Sequence, residues 1–306
     1  MSVIVPVYNG EDYLFSTIDS IIKFSGGFRV ECIVIDDGSD DSTPEILQNF
    51  ESKIRIFRQD NAGEGAAVNR GLVEAQGNYI LVVSADDPLF TSEIFSGVVD
   101  FFKANPEVTA WYPRWQIIDA QGQVRKVISP PEYDFRLLYC ENRVLPGPGT
   151  WFRRDSALKI SGRNSKWKFV GDYDFWLRLT TEGDLCLRPE LVAQWRMHIG
   201  STSISMRGPE MAIERMDVIN EFTREHTDEL PGADQNLARA NSKFLAAKLG
   251  FFSSEVNSRV LFWDALKIDR RVLRFNRILE IMFMITFPVS KNALDVLRFL
   301  VRQYAK

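Results

Sequence analysis

Residues Cys32–Ser42 read CIVIDDGSDDS, an apolar run that passes directly into acidic residues. Ser2–Gly10 (SVIVPVYNG) is also an apolar run that ends in polar residues, and Tyr79–Leu89 (YILVVSADDPL) is one that leads to a second acidic pair. Short continuous apolar runs that end in turn residues are typical of strands covered on both faces, as in a parallel sheet between helices. Such sheets bind ligands at the carboxyl ends of their strands. The sequence therefore predicts that two strands deliver the acidic pairs Asp36-Asp37 and Asp86-Asp87 to a ligand-binding edge.

Helical patterns alternate with these strands. In Asp12–Phe24 apolar residues recur at helical spacing, and Pro44 suits the first turn of a second helix. Asn61–Ala75 reads as a Gly-rich loop that enters a third helix. Alternation of strands and helices over this length predicts right-handed crossovers and a doubly wound α/β sheet.

The composition is that of an ordinary globular protein. Of 306 residues, 45% are hydrophobic and 25% charged, with a net charge of −4, which argues against disorder and against a general nucleic-acid binder. The three cysteines lack ligand spacing, so a reducing cytoplasm is favoured over a disulfide framework or a zinc site. No signal-peptide pattern opens the sequence, and Ile278–Val289, its longest apolar stretch, falls short of the roughly 20 residues that span a bilayer. We expect a cytoplasmic protein that does not cross the membrane.

Four ordered motifs together resemble a known family. VIVPVYNG, VIDDGSDDS, NAGEGAAVNRGL and SADD are similar to motifs of the family 2 glycosyltransferases. Two later segments, Gly171–Leu179 (GDYDFWLRL) and Trp195–Ser203 (WRMHIGSTS), also resemble that family. The resemblance covers the chain to about residue 210. It implies a GT-A fold, a mixed and mostly parallel sheet flanked by helices, with residues 1–210 forming a nucleotide-sugar-binding and catalytic domain.

The paired carboxylates predict a cation site. Carboxylates gathered at one place are costly unless a cation neutralises them, and Mn²⁺ or Mg²⁺ with oxygen ligands would stabilise a departing nucleoside diphosphate. The resemblance gives Asp86 and Asp87 the donor ribose and the metal jointly, with the metal on Asp87, and makes His198 a further metal or phosphate contact. Many relatives carry an aspartate where this chain has Ser84, so a third carboxylate ligand is not expected. The alternatives are a plain strand-ending turn and a structural histidine.

The resemblance also predicts a donor pocket. Asp37 would accept a hydrogen bond from a pyrimidine N3–H, and backbone N–H groups before the third helix would meet phosphate oxygens. An acidic helix start without a ligand, and small residues that merely pack against the sheet, are the structural alternatives. The predicted donor-binding residues are Pro6, Tyr8, Glu11, Asp37, Asn61, Arg70 and Asp86.

An inverting transfer needs a base for the acceptor hydroxyl. By resemblance Asp172 takes this role, although related sequences carry a glutamate where this chain has Gly171. The alternative is that Asp172 caps a helix that begins here. Asp174 is interpreted as structural.

The C-terminal part, residues 211–306, is predicted to be a helical appendage. From Arg239 onward the sequence carries a net charge of +8, while the residues before it carry −12. Four arginines precede the apolar stretch 278–289, a pattern that favours an amphipathic helix on an anionic membrane. A helical appendage packed on the catalytic domain and a homodimer contact are the alternatives. The four are Arg270, Arg271, Arg274 and Arg277.

The sequence thus favours an inverting, metal-dependent glycosyltransferase that uses a UDP- or dTDP-type donor in surface-polysaccharide synthesis. Its acceptor would be a glycan or a lipid-linked glycan, and its location the cytoplasm, peripheral to the inner face of the plasma membrane. The alternative is a non-catalytic nucleotide-sugar-binding or scaffolding member, with Ser84 and Gly171 as signs of lost activity. A sugar-nucleotide pyrophosphorylase is a weaker rival, because its Gly-rich opening loop is absent after VIVPVYNG. The donor sugar, the acceptor and the linkage are left open.

Overall fold

The computed structural model describes residues 1–198, 208–249 and 257–272. These form two compact units. The first contains residues 1–138 and the described part of 144–205, and the second contains residues 139–143 with the described helices from 208 onward. The domain boundary predicted at residues 210 and 211 stays a prediction.

The first unit is built on one eight-stranded sheet. Its strand order is β3-β2-β1-β4-β7-β5-β6, with β8 paired to β5. Strands β3, β2, β1 and β4 are parallel, β7 runs antiparallel to β4, and β8 runs parallel to β5. The predicted mixed sheet flanked by helices is confirmed. The strands are β1 (Ser2–Val7), β2 (Glu31–Asp36), β3 (Arg55–Arg58), β4 (Tyr79–Val82), β5 (Val108–Asp119), β6 (Val124–Ile128), β7 (Trp151–Arg153) and β8 (Asp184–Met197).

Seven helices belong to the first unit in whole or in part, and α5 ends at the boundary with the second. The amphipathic pattern predicted for Asp12–Phe24 forms α1, whose Leu14, Ile18 and Ile21 are completely buried. These side chains share one core cluster with Val3 and Val34 of the neighbouring strands. The helices are α1 (Leu14–Ser25), α2 (Thr43–Gln48), α3 (Glu64–Glu74), α4 (Val98–Ala104), α5 (Phe135–Tyr139), α6 (Arg154–Lys159) and α7 (Gly171–Leu179), with a 3₁₀ turn at Ser92–Phe95.

Polar loops at the carboxyl ends of β1 and β2 are bonded to each other. Asn9 has a φ of 53°, a left-handed conformation that asparagine tolerates. Its backbone N–H donates to Ser39 Oγ (3.0 Å), and its side-chain amide donates to Asp40 (2.7 Å). Gly10 N–H donates to Thr43 Oγ1 (2.8 Å). These bonds fix the two loops that frame the edge of the sheet.

The second unit is helical. A small core joins α9 and α10, where Phe244 and Ala247 pack with Phe262 and Ala265. The segment 139–143 bonds to this unit, since Tyr139 Oη lies 2.8 Å from Thr223 Oγ1. Its helices are α8 (Gly208–Glu225), α9 (Gly232–Leu249) and α10 (Ser258–Ile268), followed by a 3₁₀ turn at Arg270–Val272.

No helix in the described ranges is both long and apolar enough to cross a membrane. Arg270 and Arg271 lie in the final 3₁₀ turn. The predicted basic and apolar tail beyond them, with Arg274, Arg277 and residues 278–289, lies outside the described residues.

Candidate active site at the carboxyl edge of the sheet

Three adjacent strands bring the predicted motifs together. Because β1 pairs with β2 on one side and with β4 on the other, the loops that follow these strands open on the same edge. Tyr8 follows β1, Asp37 follows β2, and Asp86 follows β4. The two acidic pairs therefore flank the end of β1.

Asp36 and Asp37 have different surroundings. Both are buried, but Asp36 pairs with Arg58 (Oδ2 to Nη1, 2.8 Å), so it holds β2 to the edge strand β3. Asp37 accepts hydrogen bonds from Gln59 Nε2 (2.7 Å) and from the backbone N–H groups of Ala62 (3.0 Å) and Gly63 (2.8 Å). These three donors orient the Asp37 carboxylate, for which the sequence analysis predicted a contact with the nucleotide base. Each of its oxygens has more than one lone pair, so a base N–H can still be accepted.

The hydrogen bonds to Asp37 also involve the Gly-rich loop before α3, which was predicted to bind phosphate. Two backbone N–H groups that were expected to meet phosphate, those of Ala62 and Gly63, donate to Asp37 instead. Arg70 donates to the Arg58 carbonyl (2.7 Å) and lies over the Phe57 ring. Asn61 is exposed. The donor-binding roles of Asn61 and Arg70 stay predictions.

The predicted walls of the base pocket differ in exposure. Pro6 is buried within β1, whereas Tyr8, two residues on, is 52% exposed. Glu11 accepts a hydrogen bond from Ser42 N–H (3.1 Å), so it helps to join the loops after β1 and β2. The contacts of these three residues with a base stay predictions.

The acidic pair that follows β4, Asp86-Asp87, includes a buried carboxyl group. Asp87 is only 6% exposed, and its Oδ1 accepts the backbone N–H of Arg196 (2.6 Å). Burial and the neighbouring charge of Asp86 raise the pKa of Asp87 well above its ordinary value, against the opposing effects of Arg196 and of a hydrogen bond from Ser84. Asp86 is half-buried, and its Oδ2 lies 2.9 Å from His198 Nε2. The structure thus brings Asp86, Asp87 and His198 together, and the metal and ribose contacts predicted for them stay predictions.

The end of β8 and the residue that follows it hold the β4 loop in place. Gln194 donates to the Pro88 carbonyl (2.5 Å), Arg196 Nε donates to the Asp86 carbonyl (2.8 Å), and His198 contacts the Asp86 carboxylate. Alternate side chains of a strand share a face, so Gln194 and Arg196 lie on one face of β8, and His198, directly after the strand, contacts the same loop. The sequence analysis named only His198 of these three. The alternation of polar residues in QWRMH is the signal that identifies the other two.

Arg196 is buried at the centre of this arrangement. Its Nη1 donates to the Ala120 carbonyl (2.9 Å), and its guanidinium lies 4.7 Å from the Tyr13 ring centroid. The Tyr13 ring also packs against His198, at 4.9 Å between centroids. Tyr13 and Arg196 therefore support the two side chains, Asp86 and His198, that face the site.

These residues fit a divalent cation as a partial ligand set. Asp86 and His198 supply an oxygen and a nitrogen at hydrogen-bond distance from each other, and both side chains are partly exposed. Within the described part of the chain, no group of three or more His, Cys, Asp or Glu is arranged to hold a metal ion. Mg²⁺ in nucleotide enzymes is commonly bound through one or two carboxylates plus substrate phosphates. Two side chains that need a diphosphate to complete the coordination agree with that pattern.

The predicted base lies at the start of α7. Asp172 is exposed in the first turn, and its Oδ1 accepts the N–H of Tyr173 (2.7 Å). The N-cap position is occupied by Val170, so Asp172 is not the cap. Asp174 is buried between Trp167 Nε1 (3.0 Å) and the Arg178 guanidinium (2.6 Å), which agrees with its structural interpretation. The catalytic role of Asp172 stays a prediction.

Comparison with known sequences identifies the family of the first unit. The model of the family "Glycosyl transferase family 2" matches residues 2–160, more than half of the chain. An uncharacterized glycosyltransferase of Rickettsia conorii is 25% identical over 256 residues, 80% of this chain and 42% of that protein. The minor teichoic acid biosynthesis protein GgaA of Bacillus subtilis is 39% identical over 109 residues, 33% of this chain and 24% of that protein. The chain thus spans about two fifths of the Rickettsia conorii relative's length.

Solved structures share the fold. S. aureus TarS 1–349 in complex with UDP-GlcNAc matches 89% of this chain and 90% of that chain, with a TM-score of 0.55 and 17% identity. A mannosyltransferase of Pyrobaculum calidifontis in complex with GDP-Man and Mn²⁺ matches 92% of this chain and 83% of that chain, with a TM-score of 0.54 and 15% identity. The sheet order and the matching family model together show that this chain belongs to glycosyl transferase family 2 and has the GT-A fold.

Proposed function

We propose that this chain is an inverting, metal-dependent transferase that moves a sugar from a nucleotide-sugar donor to a hydroxyl of a glycan or lipid-linked glycan. The observation that carries the proposal is the cluster at the end of β4, where Asp86 and His198 lie 2.9 Å apart beside the buried Asp87. Burial raises the pKa of Asp87 beside the partly exposed Asp86, and perturbed carboxyl groups of this kind cluster at functional sites.

The proposed donor is a nucleotide sugar of the UDP or dTDP type. Asp37 is an oriented acceptor at the end of β2 and would read the N3–H of a pyrimidine base. The TarS structures with UDP and with UDP-GlcNAc support a nucleotide-sugar donor for this fold. The sugar itself is left open.

Departure of the nucleoside diphosphate would be assisted at the β4 loop. Asp86 and His198 would hold a Mn²⁺ or Mg²⁺ ion, which as a Lewis acid offsets the charge that develops on the diphosphate. Asp87, to which the sequence analysis gave the metal, stays a proposed ligand beside Asp86. Its Oδ1 accepts the Arg196 N–H, which ties the loop that both aspartates share to β8. The Mn²⁺ complex of the mannosyltransferase supports metal use in this fold.

Asp172 would act as the general base. Its Oδ1 accepts the Tyr173 N–H, and the carboxylate is exposed, so it is open to an incoming hydroxyl. As the acceptor oxygen attacks the anomeric carbon, the carboxylate takes the hydroxyl proton, and the bond to the diphosphate breaks on the opposite side. A direct displacement of this kind inverts the anomeric configuration.

The proposed setting is the synthesis of a surface polysaccharide at the inner face of the plasma membrane. The teichoic acid biosynthesis relative supports a polymer of this class as the product. We propose a cytoplasmic location with peripheral membrane contact, and self-association as a homodimer is a further proposal.

A panel of UDP-, dTDP- and GDP-sugars, each with Mn²⁺ and with a chelator, tests the proposal by thermal stabilisation. A ligand that binds only the folded state at a hundred times its Kd stabilises it by about 2.7 kcal/mol. We expect stabilisation by one nucleotide class, with Mn²⁺ only, and release of the nucleoside diphosphate when an acceptor is added. Stabilisation without turnover on any hydroxyl acceptor would favour the non-catalytic alternative. Formation of nucleoside triphosphate from the donor and pyrophosphate would favour the pyrophosphorylase.

A further inference from the structure

Helix α10 has one face in a core and one face in solvent. Phe262 and Ala265 are buried and pack with Phe244 and Ala247 of α9. The buried positions recur at helical spacing, so the residues between them lie on the outer side. The inner face of α10 packs in the core of the second unit, whereas residues of its outer side are exposed.

The outer side combines an aromatic centre with cations. Trp263 is 53% exposed and Val260 is 51% exposed, and because they lie three positions apart on the helix they form one apolar patch on this side. Arg259 and Lys267, four positions before and after Trp263, are exposed on the same side, and Arg270 is exposed in the 3₁₀ turn that follows the helix. We call Arg259, Val260, Trp263, Lys267 and Arg270 the α10 outer face.

The charge of this region is positive. Residues 257–272 carry four basic and two acidic side chains. Asp264 pairs with Lys267 (3.3 Å), and the Asp269 side chain, only 10% exposed, pairs with Arg271 (2.5 Å). Both acidic groups are thus matched within the segment, and a net positive charge remains on either side of Trp263.

We propose that the α10 outer face binds the anionic surface of a lipid membrane, with Trp263 and Val260 entering the headgroup region. Tryptophan is enriched at membrane interfaces, where its apolar ring and polar N–H are both accommodated. Each basic residue near an anionic surface contributes about fivefold in affinity. A second copy of the chain is the less favoured occupant, because a symmetric contact would bring two faces of the same positive charge together. One short face of this kind gives a reversible contact rather than a stable anchor.

Co-sedimentation of the full chain with vesicles tests the proposal. We expect binding to vesicles that contain phosphatidylglycerol, little binding to pure phosphatidylcholine, and a decrease with added salt. The triple variant Arg259→Gln, Lys267→Gln, Arg270→Gln should bind at least tenfold more weakly. The matched control removes three exposed charges from the first unit and should bind normally. It carries Lys53→Gln, Lys103→Gln and Lys126→Gln.

A second measurement follows Trp263 itself. Lipids with brominated acyl chains should quench part of the protein fluorescence, and Trp263→Phe should lose that quenching while it still sediments. Thermal melts establish that the variants fold.

The proposal is overturned by three results: no binding to anionic vesicles at low salt, equal loss of binding in the control variant, or unchanged quenching in Trp263→Phe. A dimer that dissociates in Trp263→Ala, without vesicle binding by the native chain, would assign the face to a second copy instead. Donor binding is measured separately, so failure of this proposal leaves the transferase assignment untouched.

Discussion

At the scale of single residues, Asp87 is the group whose environment is least favourable to its charge. Burial and the nearby Asp86 raise its pKa, so the folded protein holds this proton more tightly than the unfolded chain does. As the pH rises from about 3.9, the unfolded chain ionises first, and the folded state loses stability until the raised pKa is passed. A cation bound beside Asp86 and Asp87 would offset this loss.

We predict that Asp87→Asn makes the metal-free protein more stable at neutral pH. Asparagine keeps the acceptor for the Arg196 N–H but removes the buried charge. In thermal melts between pH 4 and 8, the stability of Asp87→Asn relative to the native protein should increase with rising pH. The exposed Asp60, changed to Asn, is the control and should behave as the native chain. An Asp87→Asn variant less stable than the native protein at pH 7 would show that the carboxylate is not destabilising.

Substitution of Arg196, unlike that of Asp87, is expected to destabilise the folded protein. Its buried guanidinium donates to the carbonyls of Asp86 and Ala120, so Arg196→Met leaves both acceptors without this donor. We predict a loss of about 2–4 kcal/mol in the free energy of unfolding, measured in urea, because each buried unsatisfied acceptor costs about 1–3 kcal/mol. Arg224→Met, at a side chain that is 74% exposed, should change stability by less than about 0.5 kcal/mol. Equal effects in the two variants would contradict the supporting role of Arg196.

The sequence analysis identified Asp86 and Asp87 but not Arg196, because only the two aspartates belong to a recognisable local sequence pattern. Asp86 and Asp87 follow an apolar run directly, so their position at a strand end is readable from neighbouring letters. Arg196 is an arginine in a partly polar strand, and an isolated arginine usually indicates an exposed position. Its burial depends on carbonyl groups of residues 86, 119 and 120, which lie 76 or more positions away in sequence.

At the scale of elements, helix α7 carries two aspartates with different roles. Asp172 is the proposed general base, and Asp174 is structural. Asp172 is exposed, while Asp174 is buried and bonded to Trp167 and Arg178. We predict that Asp172→Asn keeps stability and donor binding but lowers kcat by about 10²–10⁴-fold, as expected for loss of a general base.

Asp174→Asn is the companion variant on the same helix. Loss of one member of a buried ion pair leaves the Arg178 charge uncompensated, which typically costs about 3–5 kcal/mol. We therefore predict a clear decrease in the denaturation midpoint for Asp174→Asn and none for Asp172→Asn. Normal turnover by Asp172→Asn on a confirmed acceptor would assign the base to another residue.

The sheet shows how far element prediction extends. Strands β1, β2 and β4 were predictable because each contains an unbroken apolar run, namely Val3–Val7, Cys32–Ile35 and Tyr79–Val82. Strand β8 runs from Asp184 to Met197, although only its segment Leu191–Trp195 (LVAQW) has the sequence of a strand. Arg188 and Arg196 interrupt its apolar pattern, and both are buried through bonds to distant backbone carbonyls. Such non-local pairing is not visible in a sequence window.

At the scale of the whole molecule, the change of character near residue 210 agrees with a helical second unit. What the sequence did not predict is that residues 139–143 join that unit. Asn241 donates to the Cys140 carbonyl (2.7 Å), and Tyr139 bonds to Thr223. These contacts connect positions more than 80 residues apart and have no local signature.

We predict that a chain truncated after residue 205 is less stable than the intact protein by at least about 2 kcal/mol. Truncation removes the buried partners of Tyr139 and Cys140, and unsatisfied buried groups cost about 1–3 kcal/mol each. Urea unfolding of the two chains, followed by fluorescence, measures the difference. Equal midpoints would show that residues 1–205 form an independent domain.

The central claim is that the carboxylates after β4 bind the diphosphate of the donor through a divalent cation. Calorimetric titration of the nucleoside diphosphate selected by the donor panel, with Mn²⁺ and with EDTA, tests it in the native chain and in Asp86→Asn. We predict affinity at least tenfold higher with Mn²⁺ in the native chain, and no difference between the two conditions in Asp86→Asn. Equal affinity with and without the metal in the native chain, or full metal dependence in Asp86→Asn, would contradict the assignment.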